Sequence, residues 1–239
     1  MENQFLRTEM LLGKTALDKL AAAHVAVFGL GGVGGYAAEA LARSGIGQLD
    51  LIDNDVVSLS NLNRQILATH DTVGKPKTEV AAARVAAINP ACKIRTFQTF
   101  FLPENSAEFD FGEYDYVVDA IDTVSGKIGL IMAADAVKTP IISAMGTGNK
   151  INPAALKITD IFKTHTCPLA HVMRKELRKR QIKHLKVVFS DEIPLKPTLP
   201  AETAKEASPR RSTPGSTAFV PAVAGLLMAS EVVRDLIGR

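Results

Sequence analysis

Apolar positions along the chain follow two alternating rhythms. Short apolar runs at Val25-Ala26-Val27-Phe28, Leu49 to Ile52, Ile94 to Phe97, Tyr116-Val117-Val118 and Ile141-Ile142-Ser143 predict five strands. Between them lie stretches of helical spacing. The first runs from Glu9 to Ala22, with Leu11, Leu12, Leu17 and Leu20 as its apolar stripe. The next are Gly32 to Arg43, stopped by Ser44-Gly45-Ile46-Gly47; Lys77 to Ile88, stopped by Asn89-Pro90; and Val124 to Ala136. Strand and helix in alternation predict an α/β, Rossmann-like fold with a mainly parallel central sheet and helices on both faces. The strands need not alternate in polarity, because a strand covered on both sides is apolar throughout.

After about residue 150 the rhythm loosens. Leu156 to Ile158 and Val187 to Phe189 read as further short strands, and Met173 to Arg180 as a basic helix. Residues 194–215 are rich in Pro, Thr, Ala and Ser and are expected to form a mobile loop, followed by a small-residue apolar helix from Ala218 to Ile237. The expectation is one domain over 1–239, with an irregular basic C-terminal excursion over 160–215.

Composition narrows the class. With 239 residues, 46% hydrophobic and 22% charged, the chain can bury a full core without a disulfide or metal staple. No apolar run reaches the length of a membrane span. Met1 is followed by polar residues and not by a basic stretch and an apolar core, so a cytoplasmic protein is expected. Charge is uneven: residues 168–215 hold 11 Lys/Arg against 5 Asp/Glu, while the rest holds 17 against 20. Such asymmetry fits either a polyanionic partner or a solvated helix face.

The candidate chemistry begins at Gly29-Leu30-Gly31-Gly32-Val33-Gly34, between a strand end and a helix start. Glycines there allow a tight turn and a close backbone approach to phosphate, and the helix N-terminus attracts the anion. Asp53 ends strand two, where an acid accepts ribose hydroxyls. These features fit NAD as well as ATP. Arg64 and Lys77, across a loop that begins Asp53-Asn54-Asp55, supply the cations that a triphosphate needs. Asp119-Ala120-Ile121-Asp122 follows strand four, where carboxylates can hold Mg²⁺ against phosphate oxygens; alone, Asp122 reads equally well as a helix N-cap.

Taken with Ser60-Asn61-Leu62-Asn63-Arg64-Gln65, these residues resemble the adenylation domain of the ubiquitin-activating enzymes and their ThiF- and MoeB-like bacterial relatives. The likeness runs from about Arg7 to about Ala155, plus the terminal helix. It implies that Gly29, Gly31, Gly32, Gly34, Asp53, Asp55, Asn61, Arg64 and Lys77 bind ATP. It also implies that Arg64, Lys77 and Asp122 act at the phosphates, with Asp122 beside Mg²⁺. Arg7 then reaches the ATP of a partner subunit, which requires a homodimer. A monovalent cation (Na⁺ or K⁺) near the ATP site is left open.

The nucleophile that captures the acyl-adenylate divides the family. Sulfur-carrier activators usually carry two Cys-x-x-Cys pairs, and this chain has only Cys92 and Cys167. Ubiquitin-type enzymes are longer. The sequence is most similar to tRNA threonylcarbamoyladenosine dehydratases, through Ala38 to Gly47, Asp119 to Asp122, Ile158-Thr159-Asp160-Ile161, Lys163-Thr164 and Pro168-Leu169-Ala170. That branch implies adenylation of the threonyl carboxylate on adenosine 37 of tRNA, then ring closure by the carbamoyl nitrogen. Arg174, Lys175, Arg178, Lys179, Arg180, Lys183 and Lys186 are then candidates for the tRNA backbone, and a cysteine-desulfurase relay partner stays open. Cys167 reads as a small, half-buried side chain before a helix or as a thiol that accepts the acyl group or sulfur, Cys92 as structural, and His165 and His171 as surface or tRNA-facing residues. Activation of a ubiquitin-like sulfur carrier and NAD-dependent oxidoreduction remain the alternatives.

Overall fold

The structure is a computed structural model that describes residues 3–198 and 214–239. Seven strands form one sheet: β1 (His24–Phe28), β2 (Gln48–Ile52), β3 (Lys93–Phe97), β4 (Tyr116–Asp119), β5 (Ile141–Ala144), β6 (Leu156–Asp160) and β7 (Lys186–Ser190). Their order across the sheet is β3-β2-β1-β4-β5-β7-β6. All pairs are parallel except β6 with β7, which run antiparallel from Leu156 opposite Ser190 to Asp160 opposite Lys186. The order reverses between β1 and β4, so the connections that leave their carboxyl ends run to opposite sides and open a crevice.

The helices are α1 (Leu6–Leu12), α2 (Lys14–Ala22), α3 (Gly34–Arg43), α4 (Lys77–Ile88), α5 (Val124–Val137), α6 (Pro168–Lys179) and α7 (Val220–Ile237). The single helix expected over 9–22 is two. Gly13 breaks it at φ 85°, ψ 159°, a conformation that only glycine adopts without strain. The predicted stripe divides with it: Leu20 is fully buried, whereas Leu11 is 77% exposed beside Leu6 and Met10.

One sheet face packs Val25, Val27, Leu49, Leu51, Tyr116 and Val118 against the helices α2, α3, α4 and α7. The other packs Ala26, Phe28, Ile52 and Val117 under Phe101, Phe109 and Phe111, whose rings lie 5.1–5.9 Å from that of Phe28. Helix α7 approaches α3 closely because Gly225 lies over the carbonyl of Val33, where a Cβ would sit 2.2 Å from the oxygen. That contact fixes Pro221, in the first turn of α7, beside the glycine turn.

The stretch read as irregular from residue 160 onward is regular over much of its described length. It contributes α6, whose Ala170, Met173 and Leu177 pack with Val187 and Phe189, and it places β7 inside the sheet. The helix read over Met173 to Arg180 and the strand read over Val187 to Phe189 are these two elements, and the helix begins earlier, at Pro168. Most of the loop expected at 194–215, residues 199–213, lies outside the described residues. Among those described, no helix is long and apolar enough to cross a membrane.

Candidate active site

The turn after β1 uses its glycines in different ways. Gly29 has φ 89°, and a Cβ there would lie 2.8 Å from the carbonyl oxygen of Ala120 on the β4 side of the crevice. A Cβ at Gly34 would sit 1.7 Å from the oxygen of Gly29. Those two positions are glycine because the chain meets itself. Gly31 is different. A Cβ there would meet nothing nearer than Gln65 Nε2 at 3.9 Å, so the space over it is left for a ligand. The α3 N-terminus opens directly behind, with amide groups available to an anion.

Asp53 follows β2 and is held from two sides. Its carboxylate accepts the amide of Leu30 at 2.6 Å and that of Asp55 at 2.8 Å. Burial raises its pKa above the ordinary carboxylate value, and the nearby Lys77 ammonium and the two amides pull against that rise. Lys77, the first residue of α4, is buried and donates to Asp55 Oδ2 at 2.8 Å, with Asp53 Oδ1 at 3.9 Å. The intervening loop is braced by Asn61, whose Oδ1 accepts the amide of Ser58 at 3.2 Å. Arg64 is half-buried, and its Nη1 donates to Ser60 O and Asn63 Oδ1, both at 2.9 Å.

Across the crevice, the two acids of the Asp119–Asp122 segment have separate duties. Asp119 is fully buried. It takes two bonds of 3.1 Å from Lys127 Nζ and one of 2.5 Å from Ser143 Oγ. Its oxygens are occupied, so it is not the Mg²⁺ ligand that its position suggested; it anchors the strand end. Asp122 is exposed and lines the crevice. It is not the helix cap either, since Thr123 occupies the cap position of α5 and makes no side-chain cap bond.

One cavity of about 670 Å³ unites these groups. Gly29, Gly31, Gly32, Asp53, Asp55, Asn61, Arg64, Lys77 and Asp122 all line it. Gly34 lies beneath, and Arg7 sits exposed on α1, outside the lining. The volume is within the range that takes a drug-sized or nucleotide ligand. Sequence reasoning missed one wall: Thr99 to Phe101, Ala144 to Gly148, Leu169, and Pro214, Ser216 and Pro221. It also missed Lys127. The available signal was a lone lysine in the otherwise apolar α5, eight residues after an acid.

The basic segment is partly committed within the molecule. Lys179 and Arg180 pair with Glu176 at 2.7 and 2.8 Å, Arg174 bonds Thr164 Oγ1, and Arg178 stacks over Phe162 at 5.3 Å. Lys186 pairs with Glu231 and Asp235 at the foot of α7. Lys175 and Lys183 are exposed and have no ion-pair partner among the described residues. Cys167 is buried at the N-cap of α6, and His165 and His171 are exposed. Cys92 is buried too, and burial pushes its thiol up to about 11.

The family model described as ThiF family matches residues 5–239. The chain belongs to the ThiF family. Over 99% of its length it is 45% identical to the tRNA threonylcarbamoyladenosine dehydratase of Bacillus subtilis, covering 96% of that protein. It is 38% identical to the enzyme of the same name from Escherichia coli, over 99% of this chain and 94% of the other. The crystal structure of the E. coli dehydratase in complex with ATP superposes with a TM-score of 0.88 at 36% identity, covering 98% of this chain and 94% of that one. In this ThiF-family chain the glycine turn and the charged side chains line one cavity at the sheet switch point.

Proposed function

We infer that this protein is an ATP-dependent tRNA threonylcarbamoyladenosine dehydratase. ATP lies in the crevice, with its ribose on Asp53 and its phosphates over Gly31, toward Arg64 and Lys77. The threonyl carboxylate of the modified adenosine attacks the α-phosphorus; the bond to the β-phosphate oxygen breaks and pyrophosphate leaves. The carbamoyl nitrogen then attacks the acyl carbon, loses its proton, and AMP departs with the former carboxylate oxygen. The net change is loss of one water. Positioning and charge stabilisation carry both steps.

Arg64 and Lys77 oppose the charge that grows on the phosphates during attack. Each is held by a local partner that a triphosphate can replace: Asn63 and Ser60 for Arg64, and Asp55 for Lys77. Among the described residues no group of three metal-binding side chains exists, but Mg²⁺ on a nucleotide needs only one or two carboxylates besides phosphate oxygens. Asp122 meets that need from the cavity wall, and the ion would supply further charge neutralisation. The second step uses a nucleophile inside the substrate, so the reading requires no enzyme thiol.

Two surfaces extend it. The exposed Leu6, Met10 and Leu11 around Arg7 suit burial against a second copy, which would bring Arg7 to the partner's ATP. The N-terminal end of α6 borders the cavity at Leu169, so Lys175, Arg178 and Lys183 lie along a path that leads away from it. That path suits the phosphates of a tRNA stem whose modified base enters the crevice.

What carries the reading is the near-full-length likeness to the dehydratases, with every expected phosphate-binding side chain on one cavity. ATP–pyrophosphate exchange tests it. Exchange stimulated by threonylcarbamoyladenosine-containing tRNA, and not by a small diglycine-ended protein, is expected. The reverse pattern moves the assignment to sulfur-carrier activation.

A further inference from the structure

The wall of the cavity that the sequence left unread is closed by a short strap, residues 214–216, and the strap is fastened at Gly215 and at Ser216. Asn149 holds the middle of the strap. It has φ 59°, and this left-handed turn lets it use both its backbone and its side chain. Its amide donates to Gly215 O at 2.7 Å, and its Oδ1 accepts the amide of Gly215 at 2.7 Å. Asn63 holds the end at Ser216, with Nδ2 donating to Ser216 O at 3.1 Å. The strap is in close contact with the loop before Asn149, since a Cβ on Gly148 would lie 2.7 Å from Pro214 Cβ. Lys150, nearly fully buried, stiffens that loop by donating to Gly146 O at 2.9 Å.

Pro214 and Ser216 line the cavity; Asn63 and Asn149 do not. Asn63 nevertheless reaches the chemistry, because the Oδ1 of the same side chain accepts from Arg64 Nη1 at 2.9 Å. One amide group therefore binds the strap with its nitrogen and the phosphate-side arginine with its oxygen.

We propose that Asn149 and Asn63 are positioning residues for the adenylation reaction, latching residues 214–216 over the phosphate side of the cavity and aligning Arg64 with the closed strap. The latch keeps water from the acyl-adenylate, whose hydrolysis would return the threonyl carboxylate and AMP with no ring formed. The water-exclusion role rests on the dehydratase reading; the latch and its link to Arg64 rest on the hydrogen bonds alone.

Two variants separate the fastenings. Asn149→Gly keeps the left-handed backbone and deletes only the side-chain acceptor. Asn63→Asp keeps the acceptor for Arg64 and deletes the donor to Ser216. Both should keep the wild-type melting temperature within a few degrees and show faster amide hydrogen exchange at residues 215–217 in the ATP complex. With threonylcarbamoyladenosine-containing tRNA, AMP released per cyclised nucleoside should rise roughly three- to tenfold, the scale of one lost hydrogen bond. KM for ATP should change less than kcat. Asn149→Asp, which restores an acceptor, should return the AMP ratio and the exchange rate toward wild type. Asn63→Ala, which also frees Arg64, should weaken ATP binding where Asn63→Asp does not.

Wild-type stoichiometry and exchange in Asn149→Gly overturn the latch, as does an Asn149→Asp variant as defective as Asn149→Gly. If the wild-type enzyme cyclises nothing, the dehydratase reading fails instead. The exchange and ATP-affinity arms still decide the latch, and unchanged values for Asn149→Gly, Asn63→Asp and Asn63→Ala reject it.

Discussion

The ribose–phosphate side of the crevice and the α6 face both present cations and use them in opposite ways. At the crevice, Lys77 is buried and held by Asp55, with Asp53 nearby, at the start of a helix. On α6 the cations are largely exposed, and Lys179 and Arg180 are paired with Glu176 of their own helix. Burying a charge is costly unless it is paired, so Lys77 and its acids form a site prepared before any ligand arrives. An exposed ion pair is worth little and is easily exchanged, so the α6 face can trade its internal pairs for phosphates. One region is preorganised chemistry, the other an adaptable electrostatic surface.

The sharpest way to break the first half of this comparison is to remove a buried charge. Lys127→Met strands the carboxylate of Asp119 in the core and should cost about 3–5 kcal/mol of stability, read by urea unfolding. A loss under ~1 kcal/mol would contradict the mutual dependence of this buried pair. Next comes Lys77→Ala, which should lower ATP–pyrophosphate exchange by about 10²–10³ with the fold intact by circular dichroism, by analogy with the loss of one transition-state donor. Normal exchange would remove Lys77 from the phosphate site.

Acidity gives a smaller, two-signed effect at Asp53. Its raised pKa means that the folded state takes up a proton more readily than the unfolded state does. Its ionised form therefore costs stability at neutral pH, and lowering the pH through the folded pKa relieves that cost. ATP affinity should move the other way, because ribose hydroxyls need the ionised acceptor. Affinity should begin to fall above the ordinary carboxylate pKa of about 3.9, and Asp53→Asn should flatten that dependence. A wild-type affinity that is flat down to the ordinary value would contradict the role.

The α6 face should respond least per residue. Lys175→Ala and Lys183→Ala should each weaken tRNA binding without changing ATP binding, and each should reduce the slope of log affinity against log salt by about one. An unchanged slope would mean that these lysines are only solvated.

The same contrast explains what could be read from the chain in advance. The strands of the first half were legible as short apolar runs, and α3 and α4 as helical spacings with clear stops at Ser44-Gly45 and Asn89-Pro90. The first two helices were read as one because an apolar stripe says nothing of the backbone at Gly13. Gly31, Asp53, Arg64 and Lys77, which line one cavity, could be singled out in advance because a phosphate site would need those residue types at those junctions. The opposite wall was not, since Ala144 to Gly148, Pro214 and Ser216 are small or neutral and gain meaning only when the fold brings them together. Asp119 misled for a related reason. Its type and position suit a metal, but Lys127, on the next helix, and Ser143, on the next strand, claim both of its oxygens.

The central claim is tested most directly by incubating the protein with ATP, Mg²⁺ and threonylcarbamoyladenosine-containing tRNA, then weighing the nucleosides by mass spectrometry. The account predicts an ATP-dependent product lighter by one water, with AMP and pyrophosphate released. An unchanged nucleoside in the presence of bound ATP would contradict it.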